Sequence, residues 1–492
     1  MRKNFITNIS FLLLLNLLIK PFWILGIDRG VQNALGPEVY GVYFALFNFS
    51  YVFQVILDFG INNYNNRLIA RSPDKLGAQL FSTLVLKIGL GIAYVCVLGI
   101  AAHGVGFSSG EELRLLGQLA LLQIGLSFYA FLRSNVNALH LFKTDAALSV
   151  LDKGITSILC GLVLWTNFTG LTLSIPLFIW LQIIGYGISI LIALMIIGRQ
   201  QFPFSFRIDI PLIKSVLSSS LPYALLGFLM TAYYRTDGVL LERLLGGSTG
   251  DYQAGVYASA FRLLDAMNIL GFLFAGLLMP MFSRMLASGE AIRQLLQLGF
   301  TLMFIASAGA GVSFWWFQEQ IMHALYPDAD AQAGIVFGWL MISFILISIT
   351  YVFGSLLTAH GSIRLLNYIS LAGFSLNILL NVLLIPEWMS TGSAIATACT
   401  QGLVLGAHIL LVKRIFPGAI GSRIWLSAGL YIGGMILTGW LANMLSIHWF
   451  YALTGTLICS IPLSLLTGLI RIGDLKMSVS SLAEGLQRRT GA

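Results

Sequence analysis

The sequence predicts an all-α integral membrane protein of about 14 transmembrane helices, built as two six-helix bundles related by pseudo-two-fold symmetry plus two C-terminal helices. Three observations predict it. Hydrophobic residues make up 57% of the 492 residues and charged residues only 10%, with a mean hydropathy of +0.86; a soluble domain carries roughly a quarter charged residues. Apolar stretches of about 20 residues, the length that crosses a hydrocarbon core, follow one another along nearly the whole chain. Lys and Arg, finally, concentrate in alternate connections.

The first apolar window, 6–27, follows Arg2 and Lys3 and runs into Lys20-Pro21-Phe22-Trp23. No small-residue cleavage site follows, so it reads as an uncleaved helix rather than a secretory signal. Further windows fall at 40–61, 79–102, 114–138, 146–166 and 172–197, then at 215–236, 253–282, 295–317, 334–358, 366–385 and 393–412. Two more lie at 423–445 and 449–470. Strand-like alternation is absent, which excludes a β-barrel. The four cysteines, Cys96, Cys160, Cys399 and Cys459, lie singly in apolar segments and read as small buried hydrophobes, neither a disulfide framework nor a zinc site.

Of the 28 Lys and Arg residues, Lys20, Lys87 and Arg262 fall inside windows and only Arg29, Arg114, Arg235 and Arg243 fall in one set of loops. The rest, including Arg67, Arg71, Lys75, Arg133, Lys143, Lys153, Arg207, Arg471, Lys476, Arg488 and Arg489, fall in the other set or in the tails. By the positive-inside rule that set is cytoplasmic and both termini are too. The formal charge of +8 then reflects orientation and not a nucleic-acid partner. The loops leave no room for a soluble domain.

A short pattern recurs. Gly41-Val42-Tyr43 with Phe47 returns as Gly255-Val256-Tyr257 with Phe261, each preceded by an outward-loop aspartate (Asp28, Asp237) and followed by a cytoplasmic Arg-x-x-Ala, Arg67 to Ala70 and Arg284 to Ala287. Chance similarity among apolar helices competes with a true repeat. A repeat divides the chain into an N-terminal bundle over 1–198, a cytoplasmic linker over 199–214, a second bundle over 215–414, and accessory helices with a tail over 415–492. Parallel halves of this kind are a transporter architecture, with the path between them.

Ionisable groups inside the bilayer are costly and tend to line a cavity or pair with each other. The candidates are Asn16 and Lys20 in the first helix, Tyr43, Tyr51 and Asp58 in the second, Lys87 in the third and Arg133 in the fourth. Asp237 follows the seventh helix, and the eighth carries Tyr257, Arg262 and Asp265. Together they predict a polar vestibule lined with aromatics and built by helices 1, 2, 7 and 8. Each has a plainer reading: Arg262 and Asp265, three apart, could be a self-neutralising pair; Lys20, Lys87 and Arg133 could snorkel; the aromatics could face lipid or core; and His408 reads as a packing histidine. Pro21 and Pro222 fall in the leading helices of the two halves, where a freed carbonyl makes a hinge possible.

Phosphate loops, zinc-protease motifs, nucleophile elbows and selectivity-filter signatures are absent, which leaves a secondary transporter with no cofactor, and not an enzyme. The run Asn16-Leu-Leu-Ile-Lys20-Pro21-Phe-Trp23 to Asp28-Arg29, then Tyr40-Gly41-Val-Tyr43 with Phe47, then Asp58-Phe-Gly60-Ile-Asn62-Asn63, resembles the MOP exporter superfamily and, within it, polysaccharide-biosynthesis flippases of the Wzx type. The motif match is confined to helices 1–2 and, more faintly, 7–8. The resemblance implies movement of an undecaprenyl-diphosphate-linked oligosaccharide across the bacterial inner membrane, for surface polysaccharide such as O-antigen. Lys20, Lys87, Arg133 and Arg262 then face the diphosphate, with Tyr43, Tyr51, Tyr257 and Asn16 toward the sugar. Asp58, Asp237 and Asp265 serve as charge partners or bind H+ or Na+. Membrane lipids and other polysaccharide-assembly proteins are the implied partners. An ion-coupled drug or cation antiporter of the same superfamily is the nearest rival; a membrane glycan polymerase or ligase is a more distant one.

Overall fold

A computed structural model describes residues 15, 16, 18–62, 76–139, 141–166, 170–199, 210–445 and 447–470, without the side chains of 76–80, 212–216 and 219–220. Arg2, Lys3, Arg67 to Ala70, Arg71, Lys75, Arg207, Arg471, Lys476, Arg488 and Arg489, and with them both termini, lie outside the described residues.

The described residues form helices and no strand. In chain order they are α1 (18–35), α2 (Pro37–Leu57, its last turn 3-10), α3 (Leu76–Val105), α4 (Gly110–Ala138), α5 (Phe142–Trp165), α6 (Ile175–Gly198) and α7 (Ile210–Arg235). There follow α8 (Asp237–Leu245), α9 (Gly247–Ser288), α10 (Arg293–Trp316), α11 (Gln318–Leu325), α12 (Ala331–His360), α13 (Ile363–Ile415), α14 (Ser422–Met444) and α15 (Trp449–Leu466). Eleven of the described segments are long and apolar enough to cross a membrane. The 53-residue α13 holds two of the expected windows, because Met389 (φ 51, ψ −132) breaks the helix between 366–385 and 393–412. A non-glycine residue at positive φ is held there by its surroundings: next to it the Ser390 hydroxyl donates to Gln253 Oε1 at 2.6 Å.

Helix ends follow local chemistry. Ser109 caps α4, its hydroxyl accepting from the Glu112 N–H while Glu112 reaches back to the Ser109 N–H, a capping box. Ser174 and Asp330 cap α6 and α12 through their side chains. Pro21 in α1 is followed by a π-helical turn, Trp23–Asp28.

The chain forms two compact units: one of Met1–Ala266, Leu325–Asp328 and Ile363–Ala396, the other of Met267–Ala324, Ala329–Ser362 and Thr397–Ala492. In the first, α2 packs against α4, α7 and α8, and α4 and α5 pack on α6. In the second, α10 packs on α12, α14 and α15. The Trp316 indole sits over Gly439, so close that a Cβ there would collide with it, and Phe317, Ala452 and Leu453 form a buried cluster beside it. In membranes such close approach, not hydrophobic driving force, holds helices together.

Within the first unit the two repeat glycines meet. A Cβ on Gly41 would strike the Asp251 carbonyl and lie 2.7 Å from Gly255 N; one on Gly255 would strike the Pro37 carbonyl, 2.8 Å from Pro37 Cα. Gln32 Nε2 donates to the Gly255 carbonyl at 2.9 Å, tying α1 into the same crossing.

Three placements differ from the sequence reading. Asp28 and Asp237 are not loop residues but are buried, Asp28 at the end of the π-helical turn and Asp237 at the start of α8. Lys153 is not in a cytoplasmic connection but in the middle of α5. A lone Lys near the start of an apolar window looks like a loop charge; the helix in fact begins earlier, at Phe142.

Candidate functional site

The first unit contains a hollow lined by Trp23, Asp28, Tyr43, Phe47, Gln123, Lys153, Gln182, Tyr186 and Arg262, among others. Its aromatic wall is ordered by stacking: Trp23 lies parallel to Phe178 at 5.9 Å, and Tyr43 meets Phe178 edge-on at 5.5 Å. Gln123 Oε1 is buried there without a hydrogen-bond partner.

From this hollow a ladder of alternating charges crosses α1, α9 and α7. Asp28 Oδ2 accepts the Tyr40 hydroxyl at 2.8 Å and lies 2.7 Å from Arg262 Nε. Arg262 Nη1 is 4.0 Å from Asp265 Oδ2. The Asp265 carboxylate is held by both terminal nitrogens of Arg235, at 2.9 and 3.3 Å, and by the Tyr234 hydroxyl at 3.1 Å. Arg235 also donates to Asn48 Oδ1 at 3.3 Å. The guanidinium planes rest on rings: Arg235 on Tyr51, Tyr234 and Phe261 at 5.0–5.2 Å, Arg262 on Phe47 and Phe44 at 5.4–5.5 Å. Charges this far from water persist because each has an opposite neighbour and a π-face.

Two further ion pairs bind helix ends together. Lys87 Nζ meets Asp58 Oδ1 at 3.1 Å, the Leu57 carbonyl at 3.0 Å and Ser127 Oγ at 2.9 Å, joining α3 and α4 to the 3-10 end of α2. Arg133 Nε meets Asp145 Oδ1 at 3.1 Å, and Asn137 donates to its other oxygen, closing the α4–α5 corner. Asn16 donates to Ser149 Oγ at 2.8 Å. Lys20 lies in the field of Arg133, Asp152 and Lys153.

A separate polar centre surrounds Asp237, 1% exposed. Its Oδ1 accepts from the side-chain amides of Asn377 (3.1 Å) and Asn381 (2.9 Å), its Oδ2 from the Tyr257 hydroxyl (2.6 Å). Asn381 Oδ1 accepts from Ser393 Oγ at 2.7 Å, and Asn377 Oδ1 is buried without a partner.

The expected residues thus fall into distinct places. Tyr43 and Arg262 line the hollow, and Tyr51 carries Arg235 on its ring. Lys87 with Asp58, and Arg133 with Asp145, sit in tight pairs at helix junctions. Tyr257 is fully buried between Phe261 and Asp237, so its ring has no face to offer a sugar. Asp265 is gripped by Arg235 from α7 and Arg262 by Asp28 from α1; neither is the other's main partner, as their i,i+3 spacing suggested. Pro21 precedes the π-helical turn, and the Pro222 carbonyl accepts from Asn367 Nδ2 at 3.1 Å. The sequence reading missed Asp28, Lys153 and Gln182 as site residues. Their signal is present as polar residues at or inside apolar runs; Asp28 and Lys153 read as loop charges instead.

This helical architecture recurs in solved transporters. The lipid II flippase MurJ in an inward closed conformation matches with a TM-score of 0.68 and 15% identity, covering 94% of this chain and 99% of its own. An inward-facing multidrug resistance MATE family transporter of the MOP superfamily matches with a TM-score of 0.62 and 13% identity, covering 81% of this chain and 96% of its own. The fold is shared with these solved transporters, in a multi-pass membrane protein whose first unit carries a charged, aromatic hollow. Residues 5–286, more than half of the chain, match the family described as Polysaccharide biosynthesis protein, and the chain belongs to that family. A curated relative, the Lipid III flippase of Escherichia coli (strain K12), is 22% identical over 382 residues, 74% of this chain and 88% of the relative; that of Shigella flexneri matches equally.

Proposed function

We propose that the protein is a flippase that carries a diphosphate-linked, undecaprenyl-anchored oligosaccharide across the bacterial inner membrane by alternating access, for surface polysaccharide such as O-antigen. The observation that carries the reading is the hollow of the first unit, where cations and aromatic faces stand together inside apolar helices. An anionic sugar headgroup needs that combination, while its lipid tail stays in the bilayer. Family membership and the flippase names of the relatives support it. Both termini are cytoplasmic in this reading. The halves over 1–198 and 215–414 move about Pro21 and Pro222, and the meeting of Gly41 with Gly255 supports their pairing. Asp237, ringed by amides with one buried amide oxygen unpartnered, takes the coupling ion. Asp237→Asn then removes the Na+ or pH dependence of transport.

Deleting the gene tests the function. Lipid-linked repeat units are expected to be made but to remain accessible only from the cytoplasmic face, with surface glycan lost. Normal surface glycan without a second transporter sinks the reading. The MATE-like fold favours one rival, an ion-coupled exporter of cations; sensitivity to cationic toxicants with intact glycan would establish it. Surface glycan reduced to single repeat units would instead indicate a polymerase or ligase.

A further inference from the structure

Four cations of the first unit's helical interior are already committed: Lys87 to Asp58, Arg133 to Asp145, Arg235 to Asp265 and Arg262 to Asp28. Lys20 and Lys153 are not. Among the described residues neither makes a hydrogen bond or an ion pair, and the two share the field of one carboxylate, Asp152. The Lys153 ammonium is instead held over rings, 4.7 Å from the centroid of Trp23 and 5.4 Å from that of Tyr186. Ring faces recover only part of what a lysine loses on leaving water. Lys153 also feels Asp28, but that carboxylate is bound to Arg262, so the two lysines leave a positive excess in a place where charge is expensive.

We propose that Lys153, with Lys20, is the seat of the substrate's phosphate groups, and that the other four cations are structural. The inference rests on the flippase reading and deepens it by naming which cations meet the anion. Three features support the choice. Lys153 lines the hollow, and beside it the unpartnered Gln123 amide oxygen can accept from a hydroxyl of whatever the phosphate carries. A lysine is a point charge with rotatable donors, so it can hold a phosphate without the two-pronged grip of an arginine and release it across the membrane. Binding there breaks none of the four existing ion pairs.

The full chain in lipid nanodiscs, titrated with undecaprenyl diphosphate, tests this. Lys153→Gln is expected to weaken binding about tenfold or more, the usual scale for a lost charge-assisted hydrogen bond. Lys20→Gln should weaken it as well, Lys153→Arg should retain most of it, and Lys413→Gln, which alters a lysine over Trp425 in the other unit, should change nothing. In the unmutated protein, bound undecaprenyl diphosphate should shield Lys153 and Lys20 from an amine-reactive reagent, read by mass spectrometry; this measurement needs no variant to fold. Inorganic pyrophosphate should compete, which assigns the contact to phosphate and not to the lipid tail. Binding that survives Lys153→Gln and Lys20→Gln, or shielding of Lys87 in place of Lys153, overturns the seat and leaves the flippase reading standing. An unmutated protein that does not bind undecaprenyl diphosphate overturns both.

Discussion

Replacing Asp265 with Asn tests whether the charge ladder acts as one unit. The carboxylate receives two hydrogen bonds from Arg235 and one from Tyr234, and it lies 4.0 Å from Arg262. Both members of the main pair are largely buried, with side-chain exposures of 13% for Arg235 and 16% for Asp265. Removing one partner of a buried pair costs about 3–5 kcal/mol, because the remaining charge is stranded. Here the stranded guanidinium keeps Asn48 Oδ1 and three ring faces, which places the expected loss near the lower end, about 3 kcal/mol. Arg235→Gln should cost a similar amount by stranding the carboxylate. The double variant leaves no uncompensated charge and should cost less than the sum of the singles by about 1–3 kcal/mol. Reversible unfolding in mixed micelles, titrated with SDS, measures all three. Additivity within about 0.5 kcal/mol would refute the reasoning and reduce the ladder to a set of independent contacts.

Other expectations are simpler. Gly41→Ala should destabilise by about 1–3 kcal/mol, the usual overpacking cost, since its Cβ would lie 2.7 Å from Gly255 N. Gly99→Ala, with nothing within 4 Å, should be neutral in the same unfolding assay. Lys87→Met should cost about 1–3 kcal/mol by stripping the Leu57 carbonyl and Asp58 of their donor; the penalty is eased because Asp58, 33% exposed, can turn to water. Burial pushes the Glu242 carboxyl up to about 7, with Asp251 and Glu112 adding to the rise and Arg243 opposing it. An acid whose folded pKa is raised favours the folded state at low pH and loses that contribution as pH climbs through its folded value. Thermal midpoints should therefore fall between about pH 5 and pH 8, and Glu242→Gln should flatten that slope; an unchanged slope would assign it to another group.

Helix positions were largely legible from hydropathy, because a bilayer demands uninterrupted apolar length. The windows at 79–102 and 334–358 sit inside α3 and α12, that at 295–317 overruns α10 by one residue, and the gap between 366–385 and 393–412 coincides with the break at Met389. Polar residues inside those windows were also legible as exceptions, and Lys87, Asp58, Arg262 and Asp265 do sit in networks. Their partners were not. Spacing along one helix can propose Arg262 with Asp265, but it carries no information about which neighbouring helix brings a competing charge. Asp28 and Arg235 supply those charges from α1 and α7; both stand at the edges of apolar runs, and Asp28 reads there as a loop residue. Lys153 was hidden in the same way: the positive-inside rule counts charges by connection and has no means of noticing one that sits a few turns inside a helix.

The crossing of Gly41 with Gly255 sets an unusual limit on how this chain can drift under mutation. Where a large and a small side chain face each other, a gain of bulk on one side can be answered by a loss on the other, and sequence can wander along that exchange. Here both sides are already at the minimum, and each Cβ would run into the partner's backbone, the Asp251 carbonyl on one side and the Pro37 carbonyl on the other. No reciprocal substitution within the pair can restore the fit. Suppressors of a Gly41 variant should therefore arise outside the pair, among residues that set how α2 and α9 approach, and a suppressor screen would map that scaffold without reference to any substrate.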